Sequence, residues 1–116
     1  MNILFINGSP NSNGNTAALA KELLQGKEEV IVIGSPLYWH NICGSVRNIL
    51  DRFYGLVENG SLSGRTLYFL FQGAAPEKWM LEAGEYTMKR FAGLYGMKYA
   101  GMATNHSEAA KLSKKL

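Results

Sequence analysis

The chain has one cysteine, Cys43, in 116 residues. An internal disulfide is therefore excluded, as is any multi-cysteine zinc or iron–sulfur site within the chain. No fully apolar run approaches the roughly 20 residues of a membrane span, and no basic segment leads into an apolar one at the start. The expectation from these absences is a cytoplasmic protein with no membrane partner. Charge is also scarce. The formal net charge is +3, but Ser107 to Leu116 carries three lysines against one glutamate, so the rest of the chain is close to neutral. Without a basic stripe or an aromatic-rich RNA motif, nucleic acid is not an expected partner. The two histidines, His40 and His106, have no second ligand in sight and read as surface or loop residues. Cys43 reads as a small buried apolar residue.

What the chain does have is concentrated in its first seventeen residues, MNILFINGSPNSNGNTA. Asn2 to Ile6 is mostly apolar with little alternation, the pattern of a strand buried on both faces of a parallel sheet. A loop follows, punctuated by Gly8, Pro10 and Gly14 and filled with short polar side chains, and a helical pattern starts directly after it. A strand, a polar turn and a helix start in that order aim free backbone N–H groups and a positive dipole end at one spot, which suits a phosphate. No lysine follows Gly14, so this is not the nucleoside-triphosphate loop. Gly8-Ser9-Pro10 also breaks the dinucleotide fingerprint at its second glycine. A phosphate cup of hydroxyls, amides and backbone remains, beside the plainer reading of a strand-to-helix turn capped by Asn15.

At this length the chain forms a single domain over residues 1–116. Thr16 to Gln25 shows Ala17, Ala20, Leu23 and Leu24 at helical spacing, with Gly26 as its stop. Val30 to Ile33 is a β-branched run that ends in a second turn, Gly34-Ser35-Pro36. Leu37, Tyr38 and Trp39 then crowd a loop, where exposed aromatic clusters usually meet something. From Ser45, Val46, Ile49, Leu50 and Phe53 follow the helical rule, with Arg47 and Asp51 able to pair on the wet side. Arg65 to Phe71 is a third strand and runs into a third turn at Gln72-Gly73-Ala74-Ala75-Pro76. From Glu77 a long helix sets Met80, Gly84, Thr87, Phe91 and Leu94 on one face, with Ala83, Met88 and Tyr95 alongside. Lys98 to Thr104 is a fourth strand, and Ser107 caps a last helix. Strands alternating with helices predict an open parallel α/β sheet, whose ligands bind beyond the carboxyl ends of the strands. All three unusual loops sit at that end, so a polar phosphate cup lies beside an apolar, aromatic loop.

With those loops in place, the sequence resembles the flavodoxin-like NAD(P)H-dependent FMN reductases and quinone reductases. The resemblance rests on the opening strand and loop, with GSP followed by GNT, and on the SPLYW turn followed by a glycine and a helix ending in Asp51-Arg52. It implies an FMN-dependent NAD(P)H oxidoreductase passing hydride from NADH or NADPH through FMN to a quinone, flavin or similar acceptor by a ping-pong cycle. It further implies that Ser9, Asn15, Thr16 and Ala17 hold the FMN phosphate, that Pro36, Leu37, Tyr38 and Trp39 line the isoalloxazine, and that Gln72 and Gly73 meet its polar edge. No acid–base side chain is demanded, and no metal. A homodimer is usual in such proteins, and the Met- and aromatic-rich helix carrying Trp79, Met80 and Met88 is a candidate face or lid. The alternatives are a flavodoxin-type electron carrier, disfavoured by the chain's mildly basic charge, and a phosphate-binding α/β domain without flavin.

The chain departs from the family pattern in two places. Asn11 stands where a basic residue is common, leaving phosphate binding to neutral donors. More consequential, the chain passes from helix one to the Val30 strand through Gly26-Lys27-Glu28-Glu29 only, so one strand–helix unit near residues 26–28 is lacking. In the strand order 2-1-3-4-5 with right-handed crossovers, a helix leading directly from strand one to strand three must lie on the face opposite its family position.

Overall fold

The computed structural model of the chain describes residues 2–8 and 16–116, the side chains of residues 16–18 excepted. Four parallel strands form the sheet: β1 (Ile3–Asn7), β2 (Val30–Tyr38), β4 (Thr66–Gln72) and β5 (Lys98–Ala103), in the spatial order β1-β2-β4-β5. A two-residue strand, β3 (Asn41–Ile42), folds back antiparallel onto the end of β2. The helices are α1 (Thr16–Gln25), α2 (Gly44–Asp51), α3 (Lys78–Leu94) and α4 (His106–Ser113).

Each crossover advances one place in the same direction, so helices α1, α2 and α3 fall on one face of the sheet. Their apolar stripes share one core. Ala20 and Leu23 from α1, Val46 and Ile49 from α2, and Met88 and Phe91 from α3 close over Leu4, Ile6, Ile31, Ile33, Leu67, Phe69 and Phe71 of the sheet. Helix α1 thus takes the route that the short connection demands. Its carboxyl end is held by Arg65, whose guanidinium donates to the carbonyls of Leu23 and Gly26, a cation placed where the helix dipole favours one. A cluster of Phe53, Phe91 and Tyr95 with ring centroids 5.1–5.4 Å apart seals the far end of this core. The Tyr95 hydroxyl, which burial pushes up in pKa, donates to the Phe53 carbonyl at 3.0 Å.

Among the described residues the other face carries α4 alone. Leu112 packs there with Val30, Tyr68 and Ala103, leaving the β1 side uncovered. Ile3 and Phe5 are therefore 49% and 52% exposed. The expectation that β1 is buried on both faces is corrected by this: Leu4 and Ile6 face the helices, while Ile3 and Phe5 lie half exposed on the opposite face.

Several element boundaries also move. β2 does not stop at Ile33 but continues through Gly34-Ser35-Pro36 to Tyr38. A proline interrupts a central strand because its missing N–H orphans an acceptor. Here the Gly34 carbonyl accepts from Gly8 N–H, at the last position where β1 reaches (2.8 Å). Pro36, two residues on, points to the same side just past the end of β1, and the Gly8 carbonyl there accepts instead from Ser45 Oγ and Cys43 Sγ. In α3 the buried residues are Met80, Gly84, Met88, Phe91 and Ala92 rather than Thr87 and Leu94. Two of the three residues suggested for a dimer face or lid, Met80 and Met88, are thus core. The cap of α4 is Asn105, not Ser107.

Candidate functional site

The carboxyl ends of the strands are tied into a frame by small residues. Gly8, just past β1, lies so close to α2 that a Cβ placed on it would sit 2.4 Å from Val46 Cγ2 and 2.9 Å from Cys43 Sγ. That approach lets Ser45 Oγ and Cys43 Sγ both donate to the Gly8 carbonyl, at 2.7 and 3.1 Å. Ser35, buried in β2, accepts the Cys43 N–H at 2.9 Å. Cys43 is buried and free, as its sequence context suggests.

Beyond this frame β2 and β3 make a hairpin, with Leu37 opposite Ile42 and Tyr38 opposite Asn41. The two turn residues, Trp39 and His40, both have positive φ, 49° and 70°. Two positive φ values mark the hairpin geometry that glycine and asparagine usually supply, and holding bulky residues there costs about 1 kcal/mol or more each. The turn is anchored by a side-chain chain. The His40 ring stands edge-on to Trp79 at 5.2 Å, and the Trp79 indole N–H donates to the Glu77 carboxylate at 2.9 Å. Trp39 itself is 93% exposed.

Between the hairpin and α4 lies a cavity of about 700 Å³, within the range of small-molecule and cofactor sites. Its floor is the α4 side of the sheet, with Phe5, Gly34, Leu70 and Ala103. One wall is Pro36, Leu37 and Tyr38, and Gln72 and Gly73 join it at the end of β4. Pro36 and Gln72 are register partners, and a Cβ on Gly73 would sit 3.1 Å from Leu37 Cβ, so the second and third loops are in contact. The opposite wall is Thr104, Asn105 and His106 at the start of α4. Asn105 Oδ1 accepts the Glu108 N–H at 2.8 Å, and the Glu108 carboxylate accepts from Thr104 N–H and Thr104 Oγ1 at 2.7 and 2.6 Å. Those bonds from Thr104 hold the Glu108 carboxyl below the usual carboxylate range. Among the described lining residues none carries a permanent charge.

Of the residues singled out from sequence, Pro36, Leu37, Tyr38, Gln72 and Gly73 come together on this cavity. Trp39 does not: the tight turn carries it away from the lining. Ser9 and Asn15 lie outside the described residues, and Thr16 and Ala17 open α1 with their side chains outside them. Phe5, Asn7 and the Thr104–His106 wall also line the cavity without having been singled out from the sequence, and His106 is exposed, as a surface residue should be. A signal was present, since Thr104 directly follows the fourth parallel strand just as the three singled-out loops follow theirs. Among the described residues no cluster of three or more potential metal ligands occurs.

No protein-family model matches this sequence, and no curated protein matches it. Solved structures do. The chain is similar to the Trp repressor binding protein from Bacillus subtilis, with TM-score 0.70 and 19% identity, covering 98% of this chain and 96% of that one. It is similar to an NADPH-quinone reductase from P. pentosaceus, with TM-score 0.66 and 16% identity over 98% and 95% of the two chains. It is also similar to general stress protein 14 from Treponema denticola, solved in complex with FMN, with TM-score 0.65 and 16% identity over 98% and 91%. With an open parallel sheet, helices on both faces and these likenesses, the chain has a flavodoxin-like fold, short of one strand–helix unit at the β1 edge.

Proposed function

We propose that the chain is an FMN-dependent NAD(P)H oxidoreductase that reduces a quinone, a flavin or a similar small flat acceptor. The observation that carries this reading is the convergence of Pro36, Leu37, Tyr38, Gln72 and Gly73, the residues that resemblance assigns to the flavin ring, on one apolar cavity. The donor set fits such a group. Apolar walls suit a flat ring, Gly34 and Gly73 leave the floor and rim open for close approach, and the Gln72 amide offers hydrogen bonds to a polar edge. The names of the similar structures, a quinone reductase and an FMN complex among them, point the same way.

When bound, FMN supplies the hydride chemistry, taking hydride from a nicotinamide and passing it to an acceptor. The chain's own residues position and shield. Tyr38 and Leu37 pack against the ring, Gln72 and the Gly73 backbone N–H orient its polar edge, and the hairpin and α4 walls exclude water. Ser9, Asn15, Thr16 and Ala17 hold the phosphate in this reading. Donor and acceptor use the same open side of the cavity in turn, which gives ping-pong kinetics. A homodimer and a cytoplasmic location accompany the reading; among the described residues no helix is long and apolar enough to cross a membrane.

The test is the visible spectrum of protein reconstituted with FMN, desalted, then titrated anaerobically with NADPH and with NADH. Retained flavin that bleaches with either donor supports the reading. Flavin retained but bleached by neither moves the electron-carrier alternative ahead, and flavin lost on desalting overturns FMN binding. Riboflavin serves as the control for the phosphate cup. Charge-assisted hydrogen bonds to the phosphate should make FMN bind at least roughly tenfold tighter, and equal affinities would remove the cup from the site.

A further inference from the structure

The two edges of the sheet are defended very differently. On β5 the register with β4 shifts at Leu67/Tyr68, leaving Ala100 as an extra residue, and the Ala100 carbonyl is taken by Lys115 Nζ at 2.9 Å. A bulge and a lysine are standard protections against edge-to-edge pairing. β1 has neither: its register with β2 is unbroken from Ile3 to Asn7, and it contains no proline and no charged residue. In the strand order of flavodoxin another strand stands outside β1; here, among the described residues, none does.

The hydrogen-bond pattern shows which groups that edge presents. Asn2 accepts from Val30 N–H, and Gly8 donates to Gly34. Even-numbered residues of β1 therefore address β2, and the backbone N–H and C=O of Ile3 and Phe5 point out of the sheet. The side chains of the same two residues are the half-exposed ones on the face that α4 leaves open.

We propose that this edge pairs with the same edge of a second copy, antiparallel, with Leu4 at the two-fold axis and Ile3 of each copy opposite Phe5 of the other. This register gives four backbone hydrogen bonds from Ile3 and Phe5 alone. It also sets two β-branched–aromatic pairs on the open face, a favourable cross-strand combination. Sliding to a Phe5-centred register would set Ile3 against Asn7 instead. The uncharged edges meet without repulsion. Pairing β1 to β1 uses up the exposed edge in both copies and closes the assembly, whereas pairing it to the bulged β5 edge would leave edges open at both ends. A five-residue strand buries on the order of half the ~800 Å² per partner of a standard interface, so the dimer belongs to the weak, concentration-dependent class.

The experiment uses the chain without added flavin, so its outcome stands apart from that of the proposed activity. Sedimentation velocity from low micromolar to near-millimolar concentration should show a monomer–dimer equilibrium. Amide exchange by NMR should show Ile3 and Phe5 protected in proportion to the dimer fraction, with Leu4 and Ile6 protected throughout. Ile3→Lys sets two lysines diagonally across the axis, about 7–8 Å apart. It should weaken association at least roughly tenfold and leave the Leu4 and Ile6 amides protected. Phe5→Lys is the second variant should the first fail to fold. A monomer at every concentration overturns the proposal. So does a dimer that Ile3→Lys leaves intact, or one in which the Ile3 and Phe5 amides exchange freely.

Discussion

Glycine 84 is where α3 comes nearest the sheet, and replacing it with alanine is a quantitative test of the packing. An added Cβ would lie 2.3, 2.8 and 3.0 Å from three carbons of the Phe71 ring, where carbon atoms prefer roughly 3.5–4.0 Å. The ring has little room to yield, because it is fully buried and stacked on Phe69 at 5.0 Å and 26°. Either α3 lifts by about 1 Å or Phe71 leaves its rotamer, and overpacking of this kind costs about 1–3 kcal/mol. Helix propensity offsets up to about 1 kcal/mol of that. The net expectation is a loss of roughly 1–2 kcal/mol. Gly93, in the same helix, is the control: it is exposed, and a Cβ there meets nothing within 4 Å. Gly93→Ala should stabilise by a few tenths to about 1 kcal/mol, since it gains propensity near a helix end without a clash. For a chain of this length 1 kcal/mol moves Tm by about 4 °C. Thermal unfolding followed by circular dichroism should therefore show Gly84→Ala falling by roughly 4–8 °C and Gly93→Ala rising. Equal behaviour of the two variants, or no loss in Gly84→Ala, would refute the close-packing account.

Gly8→Ala meets Val46, Cys43 and, at 3.0 Å, the Gly34 carbonyl; urea denaturation should show a loss of about 2–3 kcal/mol as the frame around the Gly8 carbonyl opens. Arg65→Met removes both donors to the last carbonyls of α1 and should cost about 1–2 kcal/mol, with amide exchange rising in α1 and unchanged in β4. Glu108 is depressed in pKa by its bonds from Thr104, so its contribution is present above the pH at which the unfolded carboxyl ionises and is lost as pH falls through the lower folded value. Glu108→Gln should remove that dependence, read as loss of the acid-range change in exchange of the Thr104 amide.

Much of this architecture was legible because apolar periodicity reports local contacts. Val30–Ile33 lies in a strand, Thr66–Phe71 in another and Val46–Leu50 in a helix, as their spacing predicts, although β2 runs on to Tyr38 and α2 ends at Asp51, before Phe53. What was not legible depended on neighbours distant in sequence. Ile3-Leu4-Phe5-Ile6 reads as a doubly buried strand, yet whether Ile3 and Phe5 are covered is decided by a helix that the short connection at Gly26 moves to the other face. Pro36 reads as a turn residue, yet it continues β2 because β1 happens to end two positions earlier. Asn105 outcompetes Ser107 as a cap because the Thr104–Glu108 bonds fix the chain entering α4. At the site, the second and third loops converge as their strand-end positions predict. Trp39 leaves them because a two-residue turn, invisible in the composition, reverses the chain after Tyr38.

The same lacking unit governs what kind of site this is. In the 2-1-3-4-5 order the ligand crevice forms where the progression of strands reverses; here the progression β1-β2-β4-β5 never reverses. The cavity instead exists because α4 covers only half of its face. Its floor is rigid sheet, but its walls are hung on exposed side-chain ties: His40 on Trp79 for the hairpin, and Glu108 on Thr104 for the start of α4. Elements held by few, solvent-exposed contacts open locally at lower free energy than the core. A ligand spanning both walls would add contacts that only the closed arrangement offers, so its binding energy would appear first as stabilisation of the hairpin and of α4. Amide exchange with and without FMN separates this from uniform stabilisation: protection gained at Asn41, Ile42 and the first turn of α4, with β4 unchanged, is the expected pattern. Equal gains throughout the sheet would mean that the walls were never the labile part.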